Sequence, residues 1–550
     1  MKVLIIGGVA GGATAAARLR RLDEKAEIVI IERSGFISYA NCGLPYYIGG
    51  KIMDRNELTL QTPHSFFERF RIDARVNCEA LEIDKENKKV RVKELESGRE
   101  YDEEYDKLIL SPGAKPVVPD IPGVEKDNVF TLRTVEDTFR IYDYIGKNEV
   151  KTAAIVGGGF IGLEMAENLK NRGIDTVLLQ RSGQVMPPLD MDMASIVHKY
   201  MTKKGIYLRL NSLVSAIEKQ DSRTAVKVEG GSSVICDIVI LAVGVTPENT
   251  LAKNAGLELG VKGAVCTDEH METSVKDIYA VGDAVQVKNF VSGEDTVIAL
   301  AGPANKQGRI AADNICGIES SFKGSQGSSV LKLFDMTIAS TGLNEKLAKA
   351  SGADYDYVIL SGMSHAAYYP GAKPMTIKVL FEKKSGRILG GQIVGSDGAD
   401  KRIDVIATAV RAGMDAADLT ELDLAYAPPY SSAKDSVNMA GYAVENILEG
   451  VVKQVHWDDV EEVISSDKDD APVILDVRTD FEYGAGHIDG SVHIPLDDLR
   501  ERIEEVPAGR KVYVYCHSGL RSYLACRILT QRGIDAFNVS GGYGFYVQSR

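Results

Sequence analysis

The 550-residue sequence predicts an α/β protein of several domains, and three observations carry that expectation. An apolar strand, a glycine turn and an alanine-rich helix open the chain ("KVLIIGGVAGGATAAARLRRL"), and the same order returns about 150 residues on ("TAAIVGGGFIGLEMAENLKNRG"). A third strand, turn and helix ("VYVYCHSGLRSYLACRILTQRG") lies well beyond residue 450. A single core usually holds about 100–200 residues, so three or four domains are expected.

The first two patterns read as Rossmann-like dinucleotide-binding domains. Gly7 makes the tight turn, Gly12 lets helix and strand approach, and the helix N-terminus faces a pyrophosphate. Glu32, twenty residues after Gly12 at the end of "AEIVIIERS", is placed to bond a ribose hydroxyl. Val9 stands where the middle glycine usually is, so the backbone approach to the pyrophosphate should differ slightly there. In the second unit Gly157, Gly159 and Gly162 keep the full G-x-G-x-x-G register. Its next strand runs into Gln180, Arg181 and Ser182 instead of an acidic residue, which admits a 2′-phosphate and hence NADPH as well as NADH. "DKLILSPGAKP" (residues 106–116) and "VILAVGVTPEN" (residues 239–249) read as strands carrying the chain between domains. "IYAVGDAV" (residues 278–285) puts Asp283 at a strand end, where its carboxylate can bond a flavin ribityl hydroxyl.

After "NILEGVVKQVHWDD", which holds the only tryptophan, composition turns acidic through "SSDKDD", and a boundary is expected near residue 450. In the final module Cys516 ends a strand, and "CHSGLR" wraps backbone N–H groups around its sulfur at a helix start, a nest that stabilises a thiolate or persulfide. A cysteine phosphatase also joins strand, cysteine and arginine, but usually with five residues between them. Cys516 and Arg521 enclose four, a smaller ring that suits sulfur better than phosphate.

The net charge of −14 argues against nucleic-acid and anionic-membrane partners, so any phosphate site must be local. The apolar start breaks at Gly7 and Gly8, too early for a signal peptide, and no long uncharged span follows, so a cytoplasmic protein is expected. Seven cysteines without a C-x-x-C support neither a disulfide framework nor a metal site. Cys78, Cys236, Cys266, Cys316 and Cys526 read as small core residues.

Taken together, the two glycine turns, Glu32 and the stretch around Asp283 resemble the pyridine nucleotide-disulfide oxidoreductase family from residue 1 to about 445. In that family an FAD domain is interrupted by an NAD(P)H domain. The resemblance implies an FAD domain over residues 1–114 and 244–326, an NAD(P)H domain over 115–243, and an α+β dimerisation domain over 327–446. Residues 455–550, with Asp476, Arg478, Cys516 and Arg521, resemble an α/β rhodanese domain. FAD contacts are implied at Gly7, Val9, Ala10, Gly11, Gly12, Glu32, Arg33 and Asn41, at Ser111, Pro112 and Gly113, and at Asp283, Ala301, Ala304, Asn305 and Tyr426. NAD(P)H contacts are implied at Gly157, Gly159, Phe160, Ile161, Gly162, Glu164, Gln180, Arg181 and Gly244, with Phe160 covering the flavin and Glu164 orienting the carboxamide.

Family members usually carry C-x4-C beside the flavin, whereas "SYANCGLPYY" (residues 38–47) has Tyr47 at the second position. It resembles the single-cysteine branch of NADH oxidases, NADH peroxidases and coenzyme A-disulfide reductases. Cys42 then cycles either through a sulfenic acid or through a mixed disulfide with an external thiol. Arg18, Arg21, Arg69 and Arg71 suggest a basic approach to it, which favours a phosphorylated thiol, although a solvated helix face reads the same way. The resemblance implies coenzyme A contacts at Thr14, Arg18, Arg21, Ser38, Asn41, Cys42 and Lys434, and the basic approach adds Arg69 and Arg71 as candidates. In "HAAYYPGAK" and "LAYAPPYSSAKD", Tyr368, Tyr426 and Lys434 match positions that reach the partner's active site in homodimers of that branch.

The leading expectation is an FAD- and NAD(P)H-dependent reductase of coenzyme A persulfide, coenzyme A disulfide or polysulfide, fused to a rhodanese that handles sulfane sulfur, from thiosulfate-type donors or bulky persulfides, at Cys516. A homodimer acting on small-molecule sulfur substrates follows. An NADH oxidase or peroxidase using a Cys42 sulfenic acid is the alternative, and a persulfide sensor without turnover is a third reading.

Overall fold

The computed structural model describes residues 1–465, 471–507 and 509–550; most of the acidic stretch "SSDKDD" therefore lies outside the described residues. The chain forms two compact units, Met1–Met186 with Met201–Gly327, and Pro187–Tyr200 with Ser328–Arg550.

The first unit holds two five-stranded parallel sheets of matching topology. In one, the order is Ile278–Ala280, Lys107–Leu110, Lys2–Ile6, Glu27–Ile31, Asp73–Arg75. In the other it is Val129–Thr131, Ile238–Leu241, Thr152–Val156, Asp175–Leu179, Tyr207–Arg209. Both central strands are buried on both faces, which is why they read as unbroken apolar runs. Each sheet is interrupted at the same point by a three-stranded antiparallel layer, Cys78–Asp84, Lys89–Glu94 and Glu100–Glu104 in one case, Val214–Gln220, Arg223–Val228 and Val234–Cys236 in the other. The expected crossing segments are strands that pair with each other: Ala114–Pro116 runs antiparallel to Val245–Pro247, and the Val117 N–H donates to the Gly244 carbonyl at 2.9 Å.

The second unit carries a five-stranded antiparallel sheet, ordered Ser329–Leu333, Met336–Gly342, Ile388–Gly395, Pro374–Glu382, Tyr355–Met363. Helices Ala399–Ala412 and Ser436–Leu448 pack on it. A five-stranded parallel sheet follows, ordered Lys453–Val455, Ala536–Val539, Val512–Tyr515, Val473–Asp476, Val492–His493. The two sheets are joined by polar contacts: His456 bonds Asp356 at 2.7 Å and stacks on Tyr357, and the Ile359 N–H donates to Ser540 Oγ at 3.1 Å. Among the described residues no helix is long and apolar enough to cross a membrane.

At the centre of this unit Lys378 is wholly buried, with Nζ 2.8 Å from Asp192, 3.1 Å from Asp190, bonded to Glu345, and 4.0 Å from the Tyr357 ring centroid. The three carboxylates lie close enough to share a metal ion, and the ammonium group offsets part of their charge. Burial opposes the charged lysine, but the carboxylates overcome it and hold the ammonium above its ordinary range. Lys378→Met leaves three acids without a counter-ion and should cost about 3–5 kcal/mol, read as a lower midpoint of denaturant unfolding.

Candidate functional site

Three sites emerge from these elements. The first is the cleft under the opening glycine turn. Gly7 has φ +97°, and a Cβ there would lie 2.0 Å from the Ser111 carbonyl oxygen; a Cβ on Gly12 would lie 1.9 Å from that of Gly7. Only glycine lets helix Ala10–Leu22 start against the strand it follows. Its first turn carries no acid, so the free N–H groups of Ala10, Gly11 and their neighbours suit an anion. Val9 brings no backbone strain: it caps the helix at φ −103°, ψ −140°, close to φ −84°, ψ −169° at Gly159. The expected difference in approach is thus one of side chain, with little change in backbone.

Glu32 is buried with both oxygens engaged, by the Gly8 N–H at 2.8 Å and the Ser34 N–H at 2.9 Å. Burial pushes its carboxyl up, and the two N–H donors oppose that. Neighbouring Arg33 is exposed, 3.6 Å from Glu79. Across the cleft Asp283 lies in the turn Gly282–Ala284, paired with Arg133 at 2.9 Å, and the Gly282 N–H donates to Gln307 at 2.7 Å. Arg133 also lines Gly113, its Nη2 standing 3.0 Å from where a Cβ would be, while Pro112 follows Ser111 past the strand end. Helix Ala301–Ile315 closes the cleft: Ala304 lies beside Gly11 and Gly282, and Asn305 Oδ1 accepts from Thr14 Oγ1 at 2.7 Å. The glycine cradle, the acid at the second strand end and the carboxylate at the far strand end together fit an extended dinucleotide.

The second glycine turn repeats the device. A Cβ on Gly157 (φ +113°) would lie 2.2 Å from the Ala242 carbonyl oxygen and one on Gly162 2.0 Å from that of Gly157, whereas Gly159 faces open space. Helix Phe160–Asn171 starts there, again with no acid in its first turn, and Ile161 sits half-buried. Gln180 takes the place that Glu32 holds beside the first glycine turn, accepting from the Gly158 N–H at 2.9 Å and donating to Ser182 Oγ at 2.6 Å. Arg181 is exposed beside it, and Gly244, exposed with φ +121°, lies at the start of the return crossing.

Cys42 is exposed in the single turn Asn41–Gly43, ahead of the short helix Leu44–Ile48. Asn41 follows Tyr39 in a tight turn, and Ser38 sits in the left-handed region at φ +45° with its N–H on the Gly8 carbonyl at 2.8 Å. Partial burial pushes the Cys42 thiol up, Glu164 and Asp283 add to it, and Arg133 opposes them. The charged groups that act on this sulfur are thus Glu164, Asp283 and Arg133. Arg18 is committed to Asp313 at 2.6 Å; Arg21, Arg69 and Arg71 are exposed, Arg71 stacked 5.2 Å from the Phe67 ring centroid. Arg20, which the sequence reading passed over, is buried and ties the helix to the carbonyls of Phe70 and Arg71 at 2.7 and 2.9 Å.

Glu164 points toward this turn: Tyr46 donates to it at 3.4 Å, and burial raises its carboxyl to about 7. Tyr46 stands four residues after Cys42, the one sequence signal that could have found it; Arg133 has none, because its partner Asp283 is distant in sequence.

The second site belongs to the second unit. Tyr368 and Tyr426, both exposed, share a hydroxyl–hydroxyl bond of 2.9 Å, and a cleft of about 510 Å³ lined by Ser364, His365, Tyr426 and Tyr430 opens there. Two loops carry the pair, and buried Arg402 clamps them, donating to the Ser364 carbonyl at 3.1 Å and to Asp435 at 2.9 Å. Lys434, exposed, precedes that aspartate.

The third site is the loop after strand Val512–Tyr515. Cys516 is buried, its Sγ accepting from the Gly519 N–H at 3.1 Å and from Ser522 Oγ at 3.4 Å. Arg521 is held by Glu482 through bonds of 2.7 and 2.6 Å. Asp476 and Arg478 form a buried pair, with Arg478 also on the Gly486 carbonyl at 2.7 Å, and act as scaffold. Cys526 is buried nearby, its thiol pushed up by that burial. Cys78 and Cys236 are buried as well, and burial raises Cys236 to about 12.

Known proteins match this architecture along its length. Residues 1–308 match the pyridine nucleotide-disulphide oxidoreductase family, 328–437 its dimerisation domain and 459–548 the rhodanese-like domain. A coenzyme A disulfide reductase of Staphylococcus epidermidis is 36% identical over 446 residues, 81% of this chain and 100% of its own. An NADH oxidase of Methanocaldococcus jannaschii is 37% identical over 441 residues, 80% of this chain and 98% of its own. Reduced Bacillus anthracis CoADR-RHD superposes with a TM-score of 0.97 at 48% identity, covering 100% of this chain and 98% of that one. An NAD-dependent persulfide reductase from A. fulgidus gives 0.92 at 37% identity, covering 99% and 100%.

Glu164 should govern the reactivity of Cys42. In Glu164→Gln the pH profile of Cys42 alkylation by iodoacetamide is expected to move to lower pH, because a carboxylate that disfavours the thiolate is gone. An unmoved profile would remove Glu164 from the charges that act on this thiol.

Proposed function

This chain belongs to the pyridine nucleotide-disulphide oxidoreductase family, and we propose that it is an FAD-dependent NAD(P)H reductase of coenzyme A persulfide, coenzyme A disulfide or polysulfide, with a sulfane-sulfur transferase in the same chain. The observation that carries this reading is the presence together of one exposed thiol, Cys42, in the unit with both dinucleotide cradles, and a loop that wraps N–H groups around a second sulfur, Cys516. The names of the relatives agree with it.

Gly7, Gly11, Gly12, Glu32, Ser111 and Asp283 hold FAD, and Gly157, Gly159, Gly162, Gln180 and Arg181 hold NAD(P)H. Bound, these groups supply an electron pair. The Cys42 thiolate attacks the inner sulfur of coenzyme A persulfide; the S–S bond breaks, HS⁻ leaves, and a Cys42–coenzyme A disulfide remains. With coenzyme A disulfide the leaving group is coenzyme A thiolate. Two electrons then reopen the mixed disulfide to two thiolates. Glu164, poised near 7, is placed to take or return a proton beside Cys42, and in a homodimer the Tyr368–Tyr426 hydroxyls serve as donors to a thiolate departing at the partner's active site. Arg21, Arg69 and Arg71 offer exposed guanidinium groups for coenzyme A phosphates, and Arg18 does so only by sharing Asp313. The dimerisation domain makes a dimer the expected assembly.

An NADH oxidase reading has the similarity to the M. jannaschii protein in its favour, but it gives the Cys516 loop no task. Steady-state rates of the parent with peroxide and with coenzyme A persulfide separate the two, and Cys42→Ser tests the relay: bound FAD and its visible spectrum are expected to persist while turnover of coenzyme A persulfide falls by about 10³-fold or more. Parent-level persulfide turnover in that variant would remove Cys42 from the reaction.

Gln180 presents no charge to a 2′-phosphate. Gln180→Glu is expected to shift the ratio of kcat/KM values toward NADH by about tenfold, the scale of one hydrogen bond to a charged group. Poor NADPH efficiency that is equal in both proteins would assign Arg181 no part in binding.

A further inference from the structure

At the Cys516 loop Arg521, the arginine of the loop itself, is already paired. The Arg521 guanidinium is bound fork to fork by Glu482 at 2.7 and 2.6 Å, which raises its basicity, and the Cys516 sulfur adds to that. Glu482 is itself fixed. Its Oε2 also accepts from the Thr479 N–H at 3.1 Å and from Thr479 Oγ1 at 3.0 Å, as part of the cap of the following helix turn. These bonds, Arg521 foremost, hold the carboxyl down to about 2, so it stays ionised at any working pH. Two large apolar side chains next to this pair in sequence are exposed, Phe481 at 85% and Leu520 at 58%.

We propose that Glu482 is a donor filter: by occupying Arg521 it turns away dianionic sulfur donors such as thiosulfate and leaves Cys516 to alkyl persulfides whose reacting end carries little charge. This rests on the reading of Cys516 as the sulfur-accepting thiol and narrows its substrate class. In the favoured reaction the Cys516 thiolate attacks the outer sulfur of R–S–SH. The S–S bond breaks, RS⁻ leaves with the electron pair, and the transferred sulfur keeps its proton as Cys516–S–SH. With thiosulfate the same attack would expel sulfite, but two negative charges would have to approach a fixed carboxylate whose cation is already neutralised. Phe481 and Leu520 offer an apolar rim to the organic arm of the persulfide.

The test compares the full-length holoenzyme with Glu482→Gln and Glu482→Asp, using glutathione persulfide and thiosulfate as donors and cyanide as acceptor. The parent is expected to use thiosulfate at least about tenfold less efficiently than the persulfide. Glu482→Gln, which keeps a hydrogen-bond acceptor but loses the charge, is expected to raise the thiosulfate-to-persulfide ratio of kcat/KM by about tenfold; Glu482→Asp, which keeps the charge, should leave that ratio low. Circular dichroism and melting confirm that the variants are folded. Comparable use of both donors by the parent overturns the filter without any variant, and so does an unchanged ratio in Glu482→Gln. If those results come with a Cys516→Ser variant that transfers no sulfur, the filter alone has failed; a Cys516→Ser variant as active as the parent overturns the reading of Cys516 and the filter with it.

Discussion

One contact sets the positions of both nucleotide cradles: the backbone of each first helix lies directly on the turn that precedes it. The Cβ positions of Gly12 and Gly162 fall 1.9 and 2.0 Å from the carbonyl oxygens of Gly7 and Gly157, so any larger residue pushes helix from strand. From that contact follow the direction of the helix N-termini and the room for a pyrophosphate. It also fixes the reach of the second strand end, where Glu32 beside one parallel sheet and Gln180 beside the other bond the equivalent backbone N–H, at Gly8 and Gly158. The two halves thus share a frame and differ in the charge presented at one position.

The other functional loops are fixed by ion pairs. Arg402 with Asp435 clamps the two loops carrying Tyr368 and Tyr426, and Arg521 with Glu482 frames the Cys516 loop. The first pair is buried, with one partner 1% and the other 2% exposed, and its value is positional, since a buried pair gains little net energy after desolvation. The second is partly open to solvent and sits at the reacting sulfur, where its charges bear on substrate.

Much of this was legible in the sequence because it is written locally. The glycine registers, the apolar strands and the loop from Cys516 to Arg521 are all patterns within about thirty residues, and each required side chain is set by backbone geometry. What could not be read are pairings between distant segments. Arg133 meets Asp283 across 150 positions, and Arg18 meets Asp313 across 295. Helical spacing suggested that Arg18 and Arg21 were free and said nothing of Arg20, yet Arg20 is the buried one, because its neighbours come from the loop at Phe70 and Arg71. Tyr46 and Glu164 show the same limit: nothing in either local pattern pairs them, and only the tertiary approach of their helices brings them together.

The interleaving of the two parallel sheets has a consequence for biosynthesis. Strand Lys107–Leu110 pairs on one side with Lys2–Ile6, but its other neighbour, Ile278–Ala280, is separated from it by residues 111–277. At roughly 5–20 residues per second on a ribosome, that edge waits on the order of ten seconds for its partner, while the whole inserted sheet is made and can fold. During that interval an apolar strand with unpaired backbone groups is open to any other strand, including the same edge on a neighbouring nascent chain. The inserted domain therefore acts in time as well as in space. Its own folding draws the crossing strands Ala114–Pro116 and Val245–Pro247 together, which shortens the effective loop that the last strand must close.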